Sequence, residues 1–302
     1  MCAQRGGRSA LNNNHHSFPI VLSIAGFDPS CGAGVAADLK TFAAHNCYGV
    51  AVVTALTVQS TLGVKAIHAT PASTLRAQLD ALAEDVQITA VKIGMLGNRG
   101  NAAVVGEFLD RVHPAHVVLD PVIQPSAGGP ELLDEQGVRY LSEELMRRST
   151  VVTPNIAEAA LLSGLEIKDL AGMEAAARKL IERGARAVVV KGGHMDKAVD
   201  VLVDGTVVTI LGGDHVKSEN THGSGCTFAS AIAAQLASGY PLTQAAMLAK
   251  AYVTKAIESG FAIGKGAGPL DHFYRMHQLP PLRGIHEVPQ HGMHPAAEPG
   301  MR

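Results

Sequence analysis

Residues 20–45 read IVLSIAGFDPSCGAGVAADLKTFAAH, and this stretch decides the fold. An apolar run at 20–25 ends in a glycine-rich segment, and an amphipathic pattern with helical spacing follows at 33–45. An apolar run of this length is typical of a buried strand, and the spacing that follows is typical of a helix with one buried face. The stretch therefore predicts a strand, a glycine-rich turn and a helix in succession.

The same alternation continues along the chain. Further apolar runs lie at 50–56, 90–93, 116–120, 151–153 and 187–191, and the amphipathic segments between them lie at 72–85, 101–112, 136–147 and 173–183. Apolar runs this continuous, separated by helices, are typical of a mainly parallel sheet that is covered on both faces. After Lys191, runs at 199–203 and 207–211 flank Asp204-Gly205, which predicts an antiparallel hairpin in the C-terminal half.

Two more helices, at 226–238 and 242–259, are expected to complete a single α/β domain over residues 18–275. Residues 1–17 and 276–302 have no apolar periodicity, and the end of the chain is rich in Pro, His and Gly. Both segments are predicted to be disordered tails.

The composition of the 302 residues excludes several classes of function. Hydrophobic residues make up 47% and charged residues 17%, so a large core can form. The net charge is −2, Lys and Arg are scattered, and Trp is absent, which argues against a nucleic-acid or membrane partner. Four cysteines without a C-x-x-C pair form neither a disulfide framework nor a zinc site, and we expect a cytoplasmic location.

The densest turn signal is THGSGCT at 221–227, directly before a helical pattern. Gly223 and Gly225 allow the backbone to turn tightly, and the free N–H groups at a helix start attract anions. This turn, with Ser224 inside it, is therefore predicted to hold a phosphate. An ordinary loop with Ser224 as the helix cap is the alternative.

Cys226 lies in the first turn of that helix. The field of a helix start favours a thiolate, so its pKa is expected to fall below the usual value of about 8.5. Such a thiol suits a base or a nucleophile, and a small buried apolar residue is the alternative. Cys31 and Cys47 are interpreted as buried apolar residues.

Polar residues also follow several of the predicted strands, at the sheet edge where ligands bind in parallel α/β folds. Asp38, about one helical turn from the first strand end, is a candidate hydrogen-bond acceptor for a ligand, or else a solvated helix residue. Gln59 follows the second strand. Asp120 ends a strand as a candidate carboxylate, and Lys191 with Gly192 suits a nucleotide phosphate.

Asn155 and Glu158, three residues apart at a predicted helix start, allow two interpretations. They cap the helix and complement its dipole, or they provide oxygen ligands for Mg²⁺. The sequence alone leaves both open.

The ordered set of segments resembles the hydroxymethylpyrimidine/phosphomethylpyrimidine kinase family. The segments that carry the resemblance are IAGFDPS at 24–30, GAG at 32–34, ADLKT at 37–41, TALT at 54–57 with Gln59, VKIGML at 91–96, LDPV at 119–122, TPN at 153–155, VKGGH at 190–194 and the turn at 221–227. Each segment is a weak signal, whereas the set in this order over residues 18–260 is specific. The resemblance implies a ribokinase-like fold.

The resemblance also implies a reaction. ATP would phosphorylate 4-amino-5-hydroxymethyl-2-methylpyrimidine and then the monophosphate to the diphosphate, for thiamine diphosphate biosynthesis, with Mg²⁺ and a monovalent cation as cofactors and a homodimer as the assembly. The implied pyrimidine pocket consists of Gly26, Asp38, Gln59, Met95 and Val122. Gly223, Ser224 and Gly225 would form the anion hole, and Cys226 stands where many ribokinase-like enzymes have an aspartate base. Asn155, Lys191 and Gly192 would face the nucleotide, and Asp120 and Glu158 the Mg²⁺.

Two residues depart from the family pattern: Cys31 stands where the family usually has Gly, and Phe27 where a small polar residue is common. Three other functions stay open. They are a pyridoxal or pyridoxine kinase of the same fold, a non-catalytic pyrimidine-binding module, and a cysteine hydrolase that uses Cys226 with His222 but lacks a carboxylate to orient the histidine.

Overall fold

The computed structural model describes residues 18–125, 129–193, 198–213 and 216–278. Within this part, nine strands form one sheet in the order β3-β2-β1-β4-β5-β6-β7-β8-β9. The strands are β1 Ile20–Phe27, β2 Tyr48–Ser60, β3 Gly63–Ala69, β4 Ala90–Ile93, β5 His116–Leu119, β6 Val151–Val152, β7 Ala187–Gly192, β8 Val199–Asp204 and β9 Val207–Leu211.

The sheet is parallel at its centre and antiparallel at both edges. Strands β2, β1, β4, β5, β6 and β7 run parallel to one another. At one edge β7, β8 and β9 are antiparallel, which confirms the predicted hairpin. At the other edge β3 folds back antiparallel onto an extended β2, an element that the apolar pattern did not predict.

Helices cover both faces of the sheet, as predicted. They are α1 Gly34–Ala44, α2 Ala72–Asp85, α3 Arg99–Val112, α4 Glu135–Tyr140, α5 Met146–Arg148, α6 Ile156–Ser163, α7 Leu170–Glu182, α8 Ser224–Ala237 and α9 Leu242–Glu258. A π-helical segment at Leu141–Leu145 continues α4 into α5, so the helix predicted at 136–147 forms with a widened turn inside it.

Two apolar clusters fill the space between the sheet and its helices. Successive strand residues point to opposite faces, so Val188 joins the cluster under α2, α3 and α7, while Val189 joins the cluster under α1, α8 and α9. Because the central strands are buried on both faces, they read as continuous apolar runs rather than alternating ones.

The ends of the chain bear on the domain prediction. Phe18 begins the described residues, and Met276–Gln278 form one 3₁₀ turn in which His277 Nδ1 lies 2.9 Å from Asp271 Oδ2. The first three residues of the predicted C-terminal tail are therefore ordered against the domain. The predicted tail at 1–17 and the rest of the C-terminal one lie outside the described residues.

Candidate active site

The carboxyl ends of the central parallel strands meet the start of α8 at one edge of the sheet. The first bond of α8 joins Thr227 N to Gly223 O, so the amides of Gly225 and Cys226 precede the helical bonding pattern. A side chain on Gly225 would begin 3.1 Å from Lys191 Nζ and 4.0 Å from Asp120 Oδ2. The glycine-rich turn thus lies over the ends of β5 and β7, as a phosphate-binding turn requires.

Gly223 has a conformation and a position that only glycine tolerates. Its φ is +83°, and a side chain there would collide with the carbonyl oxygen of Gly32. Gly223 itself is the residue at the N-cap position, and no side chain caps α8. The alternative in which Ser224 caps the helix is therefore wrong, and the turn instead docks on the loop that follows β1.

Cys226 lies beside this turn in a partly buried position, and the pKa of its thiol is shifted in the direction opposite to our expectation. Burial raises the pKa of the thiol to about 11. The Lys92 ammonium lowers the pKa, but the carboxylates of Asp120 and Asp38 raise it further. The helix start therefore does not yield a resting thiolate, because burial and two nearby negative charges outweigh it.

Asp38 lies in the interior and forms an ion pair with Lys92. Lys92 Nζ is 2.9 Å from both carboxylate oxygens, while Ser23 Oγ donates to one at 2.6 Å and Ser230 Oγ to the other at 2.7 Å. Neither charged side chain is exposed. Although burial alone would lower the pKa of Lys92, Asp38 holds it above its ordinary value. The prediction that Asp38 accepts hydrogen bonds from a ligand is therefore wrong.

A second ion pair, partly buried, joins Asp120 to Lys191. Lys191 Nζ lies 2.7 Å from Asp120 Oδ1, and Thr153 Oγ1 donates to the same oxygen at 3.2 Å. Burial alone would lower the pKa of Lys191, but Asp120 and Glu158 raise it. The two residues that we assigned separately to metal and nucleotide are thus direct partners at the turn.

Asn155 and Glu158 form a capping box at the start of α6. Asn155 Oδ1 accepts from Glu158 N, and Glu158 Oε2 accepts from Asn155 N, each at 2.9 Å. Burial raises the pKa of Glu158 to about 7, against the opposing effect of Lys191. Of the two interpretations that the sequence left open, the structure shows the capping one.

The backbone of Gly192 is engaged within the sheet. Its N–H donates to Asp200 Oδ1 at 2.9 Å, and a side chain would collide with Val199 O. Its role in the structure is to let β8 pair closely with β7, and its N–H already has a partner, so the predicted nucleotide contact of Gly192 would have to use another atom.

Three of the predicted pocket residues do come together. A side chain on Gly26 would begin 2.8 Å from Met95 Sδ, and Met95 forms a small apolar cluster with Ala55 and Leu132, against which Val122 packs. Gln59 lies on β2, the strand that also carries Ala55 of this cluster, and its amide contacts His222.

Asp28 was missed as a functional candidate in this region, and His222 was considered only as the partner of Cys226 in a hydrolase. His222 Nε2 lies 2.8 Å from Asp28 Oδ2 and 3.3 Å from Gln59 Nε2. Asp28 thus provides the carboxylate that we expected His222 to lack. The Gly-Phe-Asp-Pro turn and the histidine beside Gly223 were the available signals.

Cys31 and Cys47 differ in their surroundings. Cys47 is buried, as predicted, whereas Cys31 is partly exposed and has a φ of +56°. The prediction of a buried Cys31 is wrong. The left-handed conformation, which favours glycine, explains why glycine is usual at this position.

Within the described residues, no group of three or more His, Cys, Asp or Glu side chains could hold a metal ion. Nor does any helix of this part have the length and apolar character needed to cross a membrane.

The sheet topology and the glycine turn over its strand ends define a ribokinase-like small-molecule kinase. The family model described as phosphomethylpyrimidine kinase matches residues 28–271. The chain therefore belongs to the phosphomethylpyrimidine kinase family, a family of phosphotransferases, which confirms the family and fold that the sequence indicated.

Individual relatives agree with this assignment. The chain is 45% identical over 261 residues to a hydroxymethylpyrimidine/phosphomethylpyrimidine kinase of Rhizobium meliloti (strain 1021), a match that covers 85% of this chain and 97% of that one. A crystal structure of an ADP complex of Bacillus subtilis pyridoxal kinase superposes with a TM-score of 0.80 at 34% identity, over 86% of this chain and all of that one. The phosphomethylpyrimidine kinase of Clostridium difficile 630 superposes with a TM-score of 0.71 at 37% identity, over 79% of this chain and 99% of that one.

Proposed function

We propose that this protein transfers a phosphoryl group from ATP to the hydroxymethyl group of 4-amino-5-hydroxymethyl-2-methylpyrimidine, and then converts the monophosphate to the diphosphate for thiamine diphosphate biosynthesis. The family and the relative from Rhizobium meliloti support this reaction. They support neither a non-catalytic module nor a hydrolase.

One observation carries the proposal: backbone contacts connect the thiol at the phosphate turn to the apolar pocket. The backbone of Gly34 lies close enough to Cys226 to lower the pKa of its thiol, against the larger effect of burial. Gly34 is packed so closely on Gly26 O that a side chain would collide with it, and Gly26 contacts Met95 in turn. We therefore place the substrate ring beside Met95, with its alcohol directed toward the thiol and the turn.

Different residues of this chain have different roles in the proposed transfer. The first amides of α8, with Lys191 beside Gly225, hold the negative charge of the migrating group, since catalysis of phosphoryl transfer is mostly positioning and electrostatics. Cys226 accepts the proton of the hydroxymethyl group. The raised pKa of its thiol means that only a small fraction is ready to do so at neutral pH.

A magnesium ion brought by ATP fits one of the two predicted carboxylates. Asp120 Oδ2 faces the turn, whereas Glu158 is engaged in the capping box. Protein-bound Mg²⁺ commonly takes one carboxylate and completes its shell with phosphate oxygens and water, which one carboxylate here allows. When bound, the ion would neutralise phosphate charge. We therefore assign the contact with Mg²⁺ to Asp120 and no longer assign one to Glu158.

Pyridoxal is the second candidate substrate, and the TM-score of 0.80 with Bacillus subtilis pyridoxal kinase favours keeping it. Pyridoxal also has a hydroxymethyl group on a six-membered aromatic ring. The same apolar pocket could therefore accept it.

The test is a direct comparison of substrates. Purified protein with Mg-ATP is offered the pyrimidine alcohol, its monophosphate or pyridoxal, and transfer of ³²P is measured. We expect kcat/KM for both pyrimidines to exceed that for pyridoxal. Faster transfer to pyridoxal, or hydrolysis of ATP without transfer, would contradict the proposal. Omission of Mg²⁺, and replacement of K⁺ by tetramethylammonium, test the two cation requirements in the same assay.

The assembly and location of the protein are part of this proposal. Leu56, Val58 and Leu62 of the β2–β3 hairpin are 54%, 46% and 66% exposed, which supports a homodimer through this edge. Light scattering should show a dimer for the native chain and a monomer for Leu62→Lys, and a native monomer would contradict it. The free thiols of Cys31, Cys47 and Cys226 support a cytoplasmic location.

A further inference from the structure

His222 connects the loop after β1 to Gln59. Its ring lies against Gly32, where a side chain would collide with the ring carbon Cδ2. The ring nitrogen Nε2 is 2.8 Å from Asp28 Oδ2 and 3.3 Å from the amide of Gln59. The imidazole is therefore held in one place and bonds two side chains with the same nitrogen.

The hydrogen on this nitrogen follows from the state of Asp28. The carboxylate accepts from three backbone amides, those of Ser30, Gly32 and Ala33, at 2.8–3.2 Å. Burial alone would raise the pKa of Asp28, but the hydrogen bonds from His222 and Ser30 hold it below its usual value. An ionised carboxylate only accepts, so His222 Nε2 must donate.

This donor determines which end of the Gln59 amide faces the histidine. With the amide nitrogen toward His222, two donors would face each other across 3.3 Å. Turning the amide by half a rotation places its oxygen toward His222, whose single Nε2 hydrogen is then shared between this oxygen and Asp28 Oδ2, and places its nitrogen 3.1 Å from Thr57 Oγ1. The Thr57 hydroxyl donates to Phe27 O at 3.0 Å and still accepts, so every group then has a partner.

We propose that His222 is a positioning residue that determines specificity: with Thr57, it orients the Gln59 amide so that one oxygen lone pair and one N–H of that amide face an aminopyrimidine edge. This inference rests on the proposed function. The oxygen accepts from the exocyclic amine and the N–H donates to the adjacent ring nitrogen.

The orientation also directs the reacting group. In the pyrimidine alcohol, the amine and the hydroxymethyl group are on adjacent ring carbons, and the ring nitrogen lies on the far side of the amine. An amide oxygen on the side of His222 therefore places the amine there, and His222 directly precedes the Gly223 turn. The hydroxymethyl group is brought toward the turn, whereas a reversed amide would favour a ring turned over.

The test uses an analogue with the opposite hydrogen-bonding edge. In 5-hydroxymethyl-2-methylpyrimidin-4-one, the exocyclic oxygen accepts and the ring N–H donates. For the wild-type protein, kcat/KM for the amine should exceed that for the pyrimidinone by roughly 100-fold or more, because a mismatched edge leaves polar groups unpaired. His222→Phe keeps a ring over Gly32 but lacks the donor, and should reduce this ratio about tenfold or more.

Matched variants separate positioning from packing. His222→Gln retains an N–H near the position of Nε2 and should keep the ratio. Thr57→Val removes the partner at the other end of the amide and should reduce the ratio, which also provides the test if His222→Phe does not fold. His68→Phe, on the exposed part of β3, is the control and should change nothing.

Each outcome has a distinct meaning. A ratio unchanged in both His222→Phe and Thr57→Val, with kcat/KM lowered equally for the two substrates, would show that these residues only pack, and the inference would be wrong. A wild-type ratio near one would also overturn it. No transfer to either pyrimidine alcohol by the wild-type protein, by contrast, would remove the proposed function itself.

Discussion

Lys92 Nζ lies 2.9 Å from both carboxylate oxygens of Asp38, and neither side chain has any exposed surface. Ser230, which bonds Asp38, is one helical turn beyond Cys226 on α8. This charge pair therefore lies under the candidate active site and forms part of its support.

Removal of one partner should destabilise the fold. Lys92→Met leaves the Asp38 carboxylate buried without a counter-ion, and we expect the free energy of unfolding to fall by about 3–5 kcal/mol in urea titrations. Asp38→Ala should likewise lower stability rather than selectively raise the KM for the pyrimidine. The control Lys179→Met breaks the exposed pair with Glu182 and should cost less than about 1 kcal/mol. Equal losses for the buried and exposed lysines would contradict the buried pair.

Replacement of the Cys226 thiol should affect turnover more than binding. If the sulfur accepts the alcohol proton, Cys226→Ala lowers kcat by about 10²–10⁴-fold and leaves the KM for the pyrimidine nearly unchanged in steady-state assays. Cys47→Ala, which removes a buried thiol elsewhere, should retain kcat. A Cys226→Ala enzyme with full turnover would exclude this sulfur as the base.

The raised pKa of Cys226 predicts a pH dependence with a definite sign. With a pKa of about 11, the thiolate fraction increases with pH throughout the usual assay range. The kcat of the wild-type protein should therefore increase about tenfold per pH unit between roughly pH 7 and 9, whereas that of Cys226→Ala should stay level. A bell-shaped profile centred near pH 7 would mean that another group takes the proton.

Glu158 predicts a pH effect on stability. Its pKa is raised by burial from an ordinary 4.5 to about 7, so the folded state retains a proton that the unfolded state releases. The contribution is complete below pH 4.5 and is lost as the pH rises to about 7. Between pH 5 and 8, the stability of Glu158→Gln relative to wild type should increase by up to about 3 kcal/mol. Glu131→Gln, at an exposed position, should show no such trend, and a flat difference for Glu158→Gln would contradict the raised pKa.

Cys31 is expected to reduce stability slightly. At the φ of +56° found here, a residue with a side chain is disfavoured by roughly 1–2 kcal/mol. Replacement by glycine recovers only part of this free energy, because glycine has more conformational freedom to lose from the unfolded state. Cys31→Gly should therefore raise the free energy of unfolding by about 0.5–1 kcal/mol. The same kind of change in a helix, Ala43→Gly, should lower it by a similar amount. Destabilisation by Cys31→Gly would show that the thiol contributes more than the backbone costs.

The sequence predicted those parts of the fold whose burial is reflected in local pattern. The run at 90–93 became β4 with the same bounds, because a strand buried on both faces contains almost only apolar residues. Strand β3 was missed because it is half exposed at the sheet edge, and its sequence, GVKAIHA, mixes glycine, lysine and histidine with short apolar residues. Its pairing with β2 depends on a tertiary contact rather than on periodicity.

The candidate site was harder to predict, because its chemistry depends on partners that are distant in the chain. Asp38 is a helix carboxylate in the sequence, and only the fold brings Lys92 to it. Asp28 and His222 are in contact although they are far apart in the chain, so local sequence could not predict their pairing either. By contrast, Gly223 and Gly225 were predicted from their spacing, since a turn before a helix is a local feature.

The close contact between Gly223 and Gly32 joins the last quarter of the domain to its first loop. During synthesis, the ribosome releases the β1 loop long before residue 223 emerges. The nascent chain thus carries most of its sheet while the centre for phosphoryl transfer is still absent, and residues 221–227 must return to the loop after β1 before the protein can act on any alcohol.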